Sequence, residues 1–445
     1  MWRLAKMLEP IHRTLVSPGF DASLAFICEE LKLKIKKYPS GQKVFDWTIP
    51  DSWYAKAGVL ENMKGKRLMD FKDHPLFIGP YSEPFSGVID REELLPHLHS
   101  LPHLPKAIPL CPSYYKRDWK LGVPHAFKEK LKDKKYRVRI DSVRKPGELS
   151  IGEVYLPGKS KKEILFCTYL CHPHMANDNI SGVVTCVEAF KVLSKMPQRF
   201  YSYRLIIIPE TIGSITFLYH HQEEVKNIMG GYVVLCCGDR GKLTFKKSRA
   251  GDSIADRAAL TALREKGDGG RSVDYYFSGS DERQFNAPGF RLPMATIMRN
   301  PPAEYKEYHS SLDNLDCFTP EHLGDTLQFI LNTLFVLDNN KLYKNKYKTE
   351  PFLTGYGIFK QVHVGRYGVF NKKNAKVDPG YLNQIMIHET DGTQDLIAIA
   401  DKHKCPFEAL KACSDVFRAA GLIEEVTSNG QKQNAKALDL ELCES

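Results

Sequence analysis

From residue 151 onward the chain alternates near-continuous apolar runs with helical patterns: EILFCTYL, SGVVTCVEAFKVLSKM, RLIIIPE, TIGSITFLYHHQEEV and GYVVLCC. Runs such as LIIIP and YVVLCC carry no polar face, so they suit strands covered by helices on both sides. The pattern predicts an α/β fold with a layered sheet, and in such folds ligand sites gather at the carboxyl ends of the strands. A long helical stretch, EHLGDTLQFILNTLFVLDNN, closes the block. Beyond a basic linker, DLIAIADKHKCPFEALKACSDVFRAAGLIEEV reads as a helix, a turn at Cys405-Pro406, a second helix ending at Gly421 and a short strand, which is helix-turn-helix spacing.

The first ~36 residues read as two short helices broken at Ser17-Pro18-Gly19. Residues 38–140 differ in texture, being rich in Pro, His and aromatics with little sustained periodicity, which predicts a small β-rich domain inserted into the α/β one. A chain of 445 residues has room for it. The expected division is residues 1–37 with 141–347 as the α/β domain, 38–140 as the insertion and 348–445 as a C-terminal domain, with the tail TSNGQKQNAKALDLELCES fraying. The insertion is expected to cover one rim of the cleft.

No apolar run approaches the ~20 residues that cross a bilayer, and the amino terminus is interrupted by Glu9, His12 and Arg13, so neither an anchor nor secretion is expected. Eleven irregularly spaced cysteines read as reduced thiols, which points to the cytoplasm. The net charge of +10 is spread over several segments. In the second C-terminal helix Lys411 and Arg418 stand against Glu408 and Asp415, a poor surface for neutralising phosphates, so nucleic acid is not an expected partner. Packing on the α/β domain or homo-oligomer formation suits those helices better.

Three strand-end segments hold the candidate chemistry. In TYLCHPHMANDNISG, His172 and Asp178 lie six residues apart on a loop between strand and helix, and an imidazole with a carboxylate there can converge on one divalent metal, with Zn²⁺ favoured by the donor mixture. In RLIIIPETIGS, Glu210 ends another strand and suits a general base or a first-turn acid. In EYHSSLDNLD, His309 precedes Asp313 by four residues, and Asp313 could fix the imidazole tautomer from behind. Each segment taken alone is equally an ordinary turn or helix cap.

Taken in order, the pieces resemble the zinc aminopeptidase family with a phosphorylase/hydrolase-like fold: a strand-end His172, AlaAsnAspAsnIleSerGly at 176–182, Glu210, Ser280-Asp281 with Phe285, and Tyr308-His309 with Asp313. More closely, the chain is similar to bacterial aminopeptidase-like proteins once grouped as a domain of unknown function. Their hallmarks VFDW, PSYY, CHPxMANDN, PETIGS, GSDERQ, EYH and DNLD stand here at 44–47, 112–115, 171–179, 209–214, 279–284, 307–309 and 313–316. That resemblance implies a zinc-aminopeptidase-like sheet core, an inserted small β-rich domain and a C-terminal winged helix. It also implies a hydrolase that cleaves a peptide or amide bond with zinc-activated water and Glu210 as base.

The departures bear on the metal count. A two-zinc member has two consecutive glutamates, whereas Glu210 stands between Pro209 and Thr211; Cys236 and Cys237 occupy the strand end where a ligand aspartate is expected, and His174 replaces an aspartate. One zinc is therefore favoured over two, held by Asp178 and His309 with either His172 or Glu210; if His172 ligates, Glu210 is free to act as base. Asp239, Asp281 and Glu282 are the candidates for holding a substrate amine, and Arg283 for holding a carboxylate. A single-zinc amide hydrolase or acyl transferase acting on a non-peptide metabolite, and a degenerate scaffold serving as a binding protein, are the competing expectations.

Overall fold

The computed structural model describes residues 1–358 and 378–426; the tail expected to fray lies outside them, as does part of the expected C-terminal domain. The central apolar runs form strands buried on both faces, Glu163–Tyr169 and Ser202–Ile208 along their whole length. They belong to an eight-stranded sheet ordered Lys34–Pro39, Glu148–Leu156, Ser202–Ile208, Glu163–Tyr169, Ile228–Val234, Met294–Met298, Leu243–Lys246, Gly270–Val273. The four central strands are mutually parallel, and antiparallel neighbours flank them on both sides. This mixed α/β architecture is the one expected for a zinc-aminopeptidase-like core.

Strand order explains where a site can form. The chain leaves Glu163–Tyr169 through the helix Gly182–Lys195 to reach Ser202–Ile208 on one side. It then leaves that strand through the helix Ile212–His220 and crosses to Ile228–Val234 on the other side. Connections diverging from a central parallel strand open a crevice at its carboxyl end. The loop that follows Tyr169 lies there.

The described residues divide into two compact units, 1–256 with 266–331, and 257–265 with 332 onward. Within the first unit, the segment between the first two strands of the large sheet forms a four-stranded antiparallel sheet ordered Arg67–Asp70, Ser52–Asn62, Lys135–Lys145, Phe85–Asp90. Trp53 roots it: the ring is fully buried, its Nε1 donates to the Ser82 carbonyl at 2.8 Å, and its backbone N–H donates to the Val16 carbonyl at 2.9 Å. In the second unit, the helices Pro379–Glu389, Leu396–His403 and Phe407–Ala419 accompany a three-stranded antiparallel sheet, with Lys404 at φ 52° making the turn between the last two. Arg257 clamps Asp395 there with two hydrogen bonds. No helix among the described residues is long and apolar enough to cross a membrane.

Arg13 fixes the start of the candidate loop. Its guanidinium, 1% exposed, donates to the carbonyls of Leu8, Ile11, Leu170 and His172, the last three at 3.1 Å. Charged donors to neutral acceptors make strong hydrogen bonds, and deleting them strands buried carbonyls. Arg13→Met keeps the apolar stem, so chemical denaturation of this variant reads the polar part alone; a loss of roughly 3 kcal/mol is expected, and an unchanged midpoint would show that the clamp contributes nothing.

Candidate metal centre

The loop 170–181 is held by its own motif. The Asp313 carboxylate accepts from the backbone N–H groups of Asn177 (2.6 Å) and Asp178 (3.0 Å). Asn179 donates through Nδ2 to Thr168 Oγ1 and the Val234 carbonyl, and accepts through Oδ1 from the N–H groups of Gly182 and Cys236. Asn177 bonds the Gly238 N–H and Asp239, and Ser181 Oγ bonds the Asn177 carbonyl and the Cys237 N–H. At Gly182 a Cβ would sit 2.5 Å from the Val234 carbonyl oxygen, so only glycine lets the helix start this close to the sheet. Asn177, Asn179 and Ser181 thus build the loop, and the roles of these three do not emerge from ligand spacing.

Asp178 is what the loop delivers. It is fully buried, and Tyr169 Oη donates to its Oδ1 at 2.5 Å. Its Oδ2 faces two imidazoles, His309 Nε2 at 3.0 Å and His172 Nε2 at 4.0 Å, and the ligand atoms of these three residues lie within 4.8 Å of one another. Apart from their mutual approach at 3.0 Å, neither Asp178 Oδ2 nor His309 Nε2 has a hydrogen-bond partner among the described residues, although both are buried. Two imidazole nitrogens and one carboxylate oxygen converge here as a donor set that could hold a metal ion. Burial pushes the Asp178 carboxyl up, but His172, His309 and the Tyr169 hydroxyl outweigh it and hold the group down at about 2, so the ligand stays anionic.

Glu210 stands beside this trio with its Oε2 3.8 Å from His172 Nε2. Its other oxygen accepts from Ser280 Oγ at 2.6 Å. Asp281, 0% exposed, accepts through Oδ1 from the Thr211 N–H (2.7 Å) and Ser214 Oγ (2.6 Å), while its Oδ2 is buried without a partner. Burial, reinforced by the Glu210 charge, pushes the Asp281 carboxyl well above the usual range.

The other sequence candidates have different surroundings. Glu282 pairs with Lys246 at 2.8 Å, each side chain 1% exposed, and accepts from the Ser280 N–H. Asp239 accepts from Asn177, Gly241 and both nitrogens of Asn300. Arg283 is exposed, with its Nε on the Ser280 carbonyl. The hydrogen bonds of Asp313 run to the loop backbone and to Tyr305 Oη, so it braces Asp178 and not the His309 ring. His174 points elsewhere, toward Glu9 at 3.2 Å.

Two tyrosines join the centre. Tyr308 stacks on His309 with ring centroids 3.7 Å apart. Tyr114 lines a cavity together with Glu210; burial first, then the Cys171 thiol and the charges of Glu210 and Asp178, push its phenol well above the ordinary value and keep it protonated. Tyr114 belongs to the motif PSYY, a hint that carried no role until the chain was folded.

Residues 2–340 match the family described as a domain of unknown function (DUF4910). The chain belongs to that family. It is 35% identical over 427 residues, 96% of each chain, to a Clostridium acetobutylicum protein named for polysaccharide biosynthesis and an aminopeptidase-like domain. A crystal structure from the same organism, named as that of a peptidase by inference, superposes with a TM-score of 0.87 at 34% identity over 96% of both chains. A zinc aminopeptidase of Bacillus subtilis shares the fold at a TM-score of 0.54 and 16% identity, covering 75% of this chain and 93% of that one. The DUF4910 chain therefore carries its His172, Asp178 and His309 cluster on a fold shared with a zinc aminopeptidase.

Asp281 makes the electrostatics testable. A carboxyl whose folded pKa is raised keeps its proton in the native state while the unfolded chain has lost it, so stability falls as pH rises from ~3.9 to the raised value. Asp281→Asn removes that titration and offers an amide where Oδ2 lacks a partner. Its stability relative to the wild type is expected to grow between about pH 5 and about pH 9, measured by denaturation at both; a constant difference would place the Asp281 pKa in the ordinary range.

Proposed function

We propose that this chain is a zinc-dependent hydrolase of the aminopeptidase type, which cleaves a peptide or amide bond with one zinc held by His172, Asp178 and His309 and with Glu210 as general base. The observation that carries the reading is the convergence of buried Asp178 Oδ2 and His309 Nε2, which have no hydrogen-bond partner beyond their mutual approach, with His172, and with Glu210 Oε2 3.8 Å from His172 Nε2. Zinc in that position supplies Lewis acidity, polarising a carbonyl and making water a better nucleophile. Glu210 takes the proton of the attacking water at Oε2 and delivers it to the leaving amine. Ser280 holds the opposite oxygen, which keeps the reactive one turned toward the trio. Tyr169 performs the same service for Asp178.

One ion is favoured because His172, Asp178 and His309 form a single cluster, while Asp239 is engaged by Asn177 and Asn300. The names of the Clostridium relatives support peptidase chemistry, and the polysaccharide-biosynthesis name also favours a second reading in which the amide belongs to an acylated sugar. In both readings the partner is a small amide and not a nucleic acid. A panel of aminoacyl amides against N-acylated sugars separates the two, and turnover of neither class would sink both.

Ligand and base are distinguished by what their removal does. Asp178→Ala and His309→Ala are expected to lose zinc and activity together, because two remaining ligands hold the ion poorly. Glu210→Gln keeps the shape and removes the basic oxygen; it is expected to retain zinc by elemental analysis while turnover falls roughly 10²–10⁴-fold. Loss of zinc in that variant would make Glu210 a ligand, and unchanged turnover would remove it from the mechanism.

A further inference from the structure

Two sequence motifs of the inserted segment, VFDW and PSYY, play no part in holding the metal, yet they meet beside Glu210. The first is a hairpin in which Lys43–Val44 pairs with Trp47–Thr48 and Phe45 takes the left-handed conformation at φ 56°. The Phe45 ring packs edge-on against Tyr219 (5.2 Å) and Phe290 (5.9 Å), which anchors the tip and leaves Trp47 free. From the second motif, Tyr115 donates its hydroxyl to the Thr48 carbonyl at 2.9 Å, and its ring lies 6.0 Å from that of Trp47 at 65°. Trp47 and Tyr115 are nevertheless 38% and 47% exposed. Large aromatics left uncovered on a fixed frame mark a binding surface more often than an accident of packing.

What they enclose sets the chemistry. Trp47, Tyr114, Tyr115 and Leu15 wall a cavity of about 270 Å³ whose remaining lining is Glu210, Thr211 and Ile212. Trp47 and Tyr115 also wall a second cavity of about 340 Å³ that ends at Asp46 and Thr48. The two cavities share the aromatic pair as lining, with the candidate base on one and Asp46 on the other. Among the described residues no lysine or arginine lines either cavity, and each contains a carboxylate. That charge disfavours an anionic occupant. Because the Tyr115 hydroxyl is already engaged, the aromatic pair offers ring faces, and ring faces favour flat partners: a sugar ring through its C–H face or an aromatic side chain by stacking.

We propose that these cavities bind an uncharged or cationic ring of the substrate, stacked at Trp47 and Tyr115, with the bond to be cleaved reaching Glu210. The proposal deepens the hydrolase reading and rests on it for the word substrate. It assigns to the inserted segment the selection of what reaches the metal centre.

Calorimetric binding to the zinc-replete full chain tests it with probes that contain no amide: 2-phenylethylamine, methyl β-glucoside, isopentylamine and phenylacetate. At least one ring probe is expected to bind about tenfold more tightly than isopentylamine, and phenylacetate more weakly than 2-phenylethylamine. Preference for the amine ring identifies an aromatic side chain, and preference for the glucoside a sugar. Trp47→Ala and Tyr115→Ala, at exposed positions, are each expected to lose most of the advantage; the ring-over-aliphatic comparison in the wild type stands without them. Ring probes that bind no better than isopentylamine, or variants that bind them like the wild type, overturn the proposal. Since no probe contains an amide, an inactive amide panel sinks the hydrolase reading alone, while this outcome is read independently.

Discussion

Asp178 is a carboxylate with no exposure to solvent, and one of its oxygens faces two imidazoles where a hydrogen-bond donor would ordinarily be. Stripping a carboxylate of water costs several kcal/mol unless charge or donors replace the lost hydration. The fold supplies part of that replacement through Tyr169 on Oδ1, while Oδ2 meets the two imidazoles and could share a metal ion with them. The surrounding structure keeps this arrangement from collapsing. Asp313 and Ser181 direct their polar groups to the loop backbone, Asn177 and Asn179 tie the loop to the neighbouring strand ends at Thr168 and Val234 to Asp239, and Arg13 holds the carbonyls on either side of Cys171. None of these groups is left over to neutralise Asp178.

The same environment separates the roles of neighbouring acids. Glu210 retains one oxygen without a hydrogen bond and faces the trio, whereas Asp281, deeper and next to the Glu210 charge, is driven toward its neutral form. Two carboxyls at close quarters in a poorly solvated pocket cannot both ionise freely, and the more buried one yields. Ser280 and Asp281 are consecutive, so the turn before the short helix Glu282–Phe285 that places one on Glu210 places the other on the backbone after it. That coupling gives the SD motif a physical reason.

Much of this was legible in the sequence because it is local. Strands buried on both faces must be apolar throughout, and LIIIP and YVVLCC show it; strand-end loops then localise His172, Asp178 and Glu210. His309 was legible through its motif. What could not be read was long-range geometry. The Asp313 carboxylate meets a backbone 135 and 136 residues away, and four residues of spacing to His309 suggested the wrong neighbour for it. Glu282 looked like a site acid, but Lys246, at the end of the strand Leu243–Lys246, pairs with it. Trp47 and Tyr115 carry no periodic signal, and only the folded insertion brings them to Glu210.

The central claim is that one zinc occupies the space bounded by Asp178 Oδ2, His309 Nε2 and His172 Nε2. The most direct measurement is an anomalous difference map at the zinc edge from crystals of metal-replete full-length protein. A single strong peak within ligand distance of those three atoms is predicted. Two peaks, a peak elsewhere, or none at that position would contradict the account.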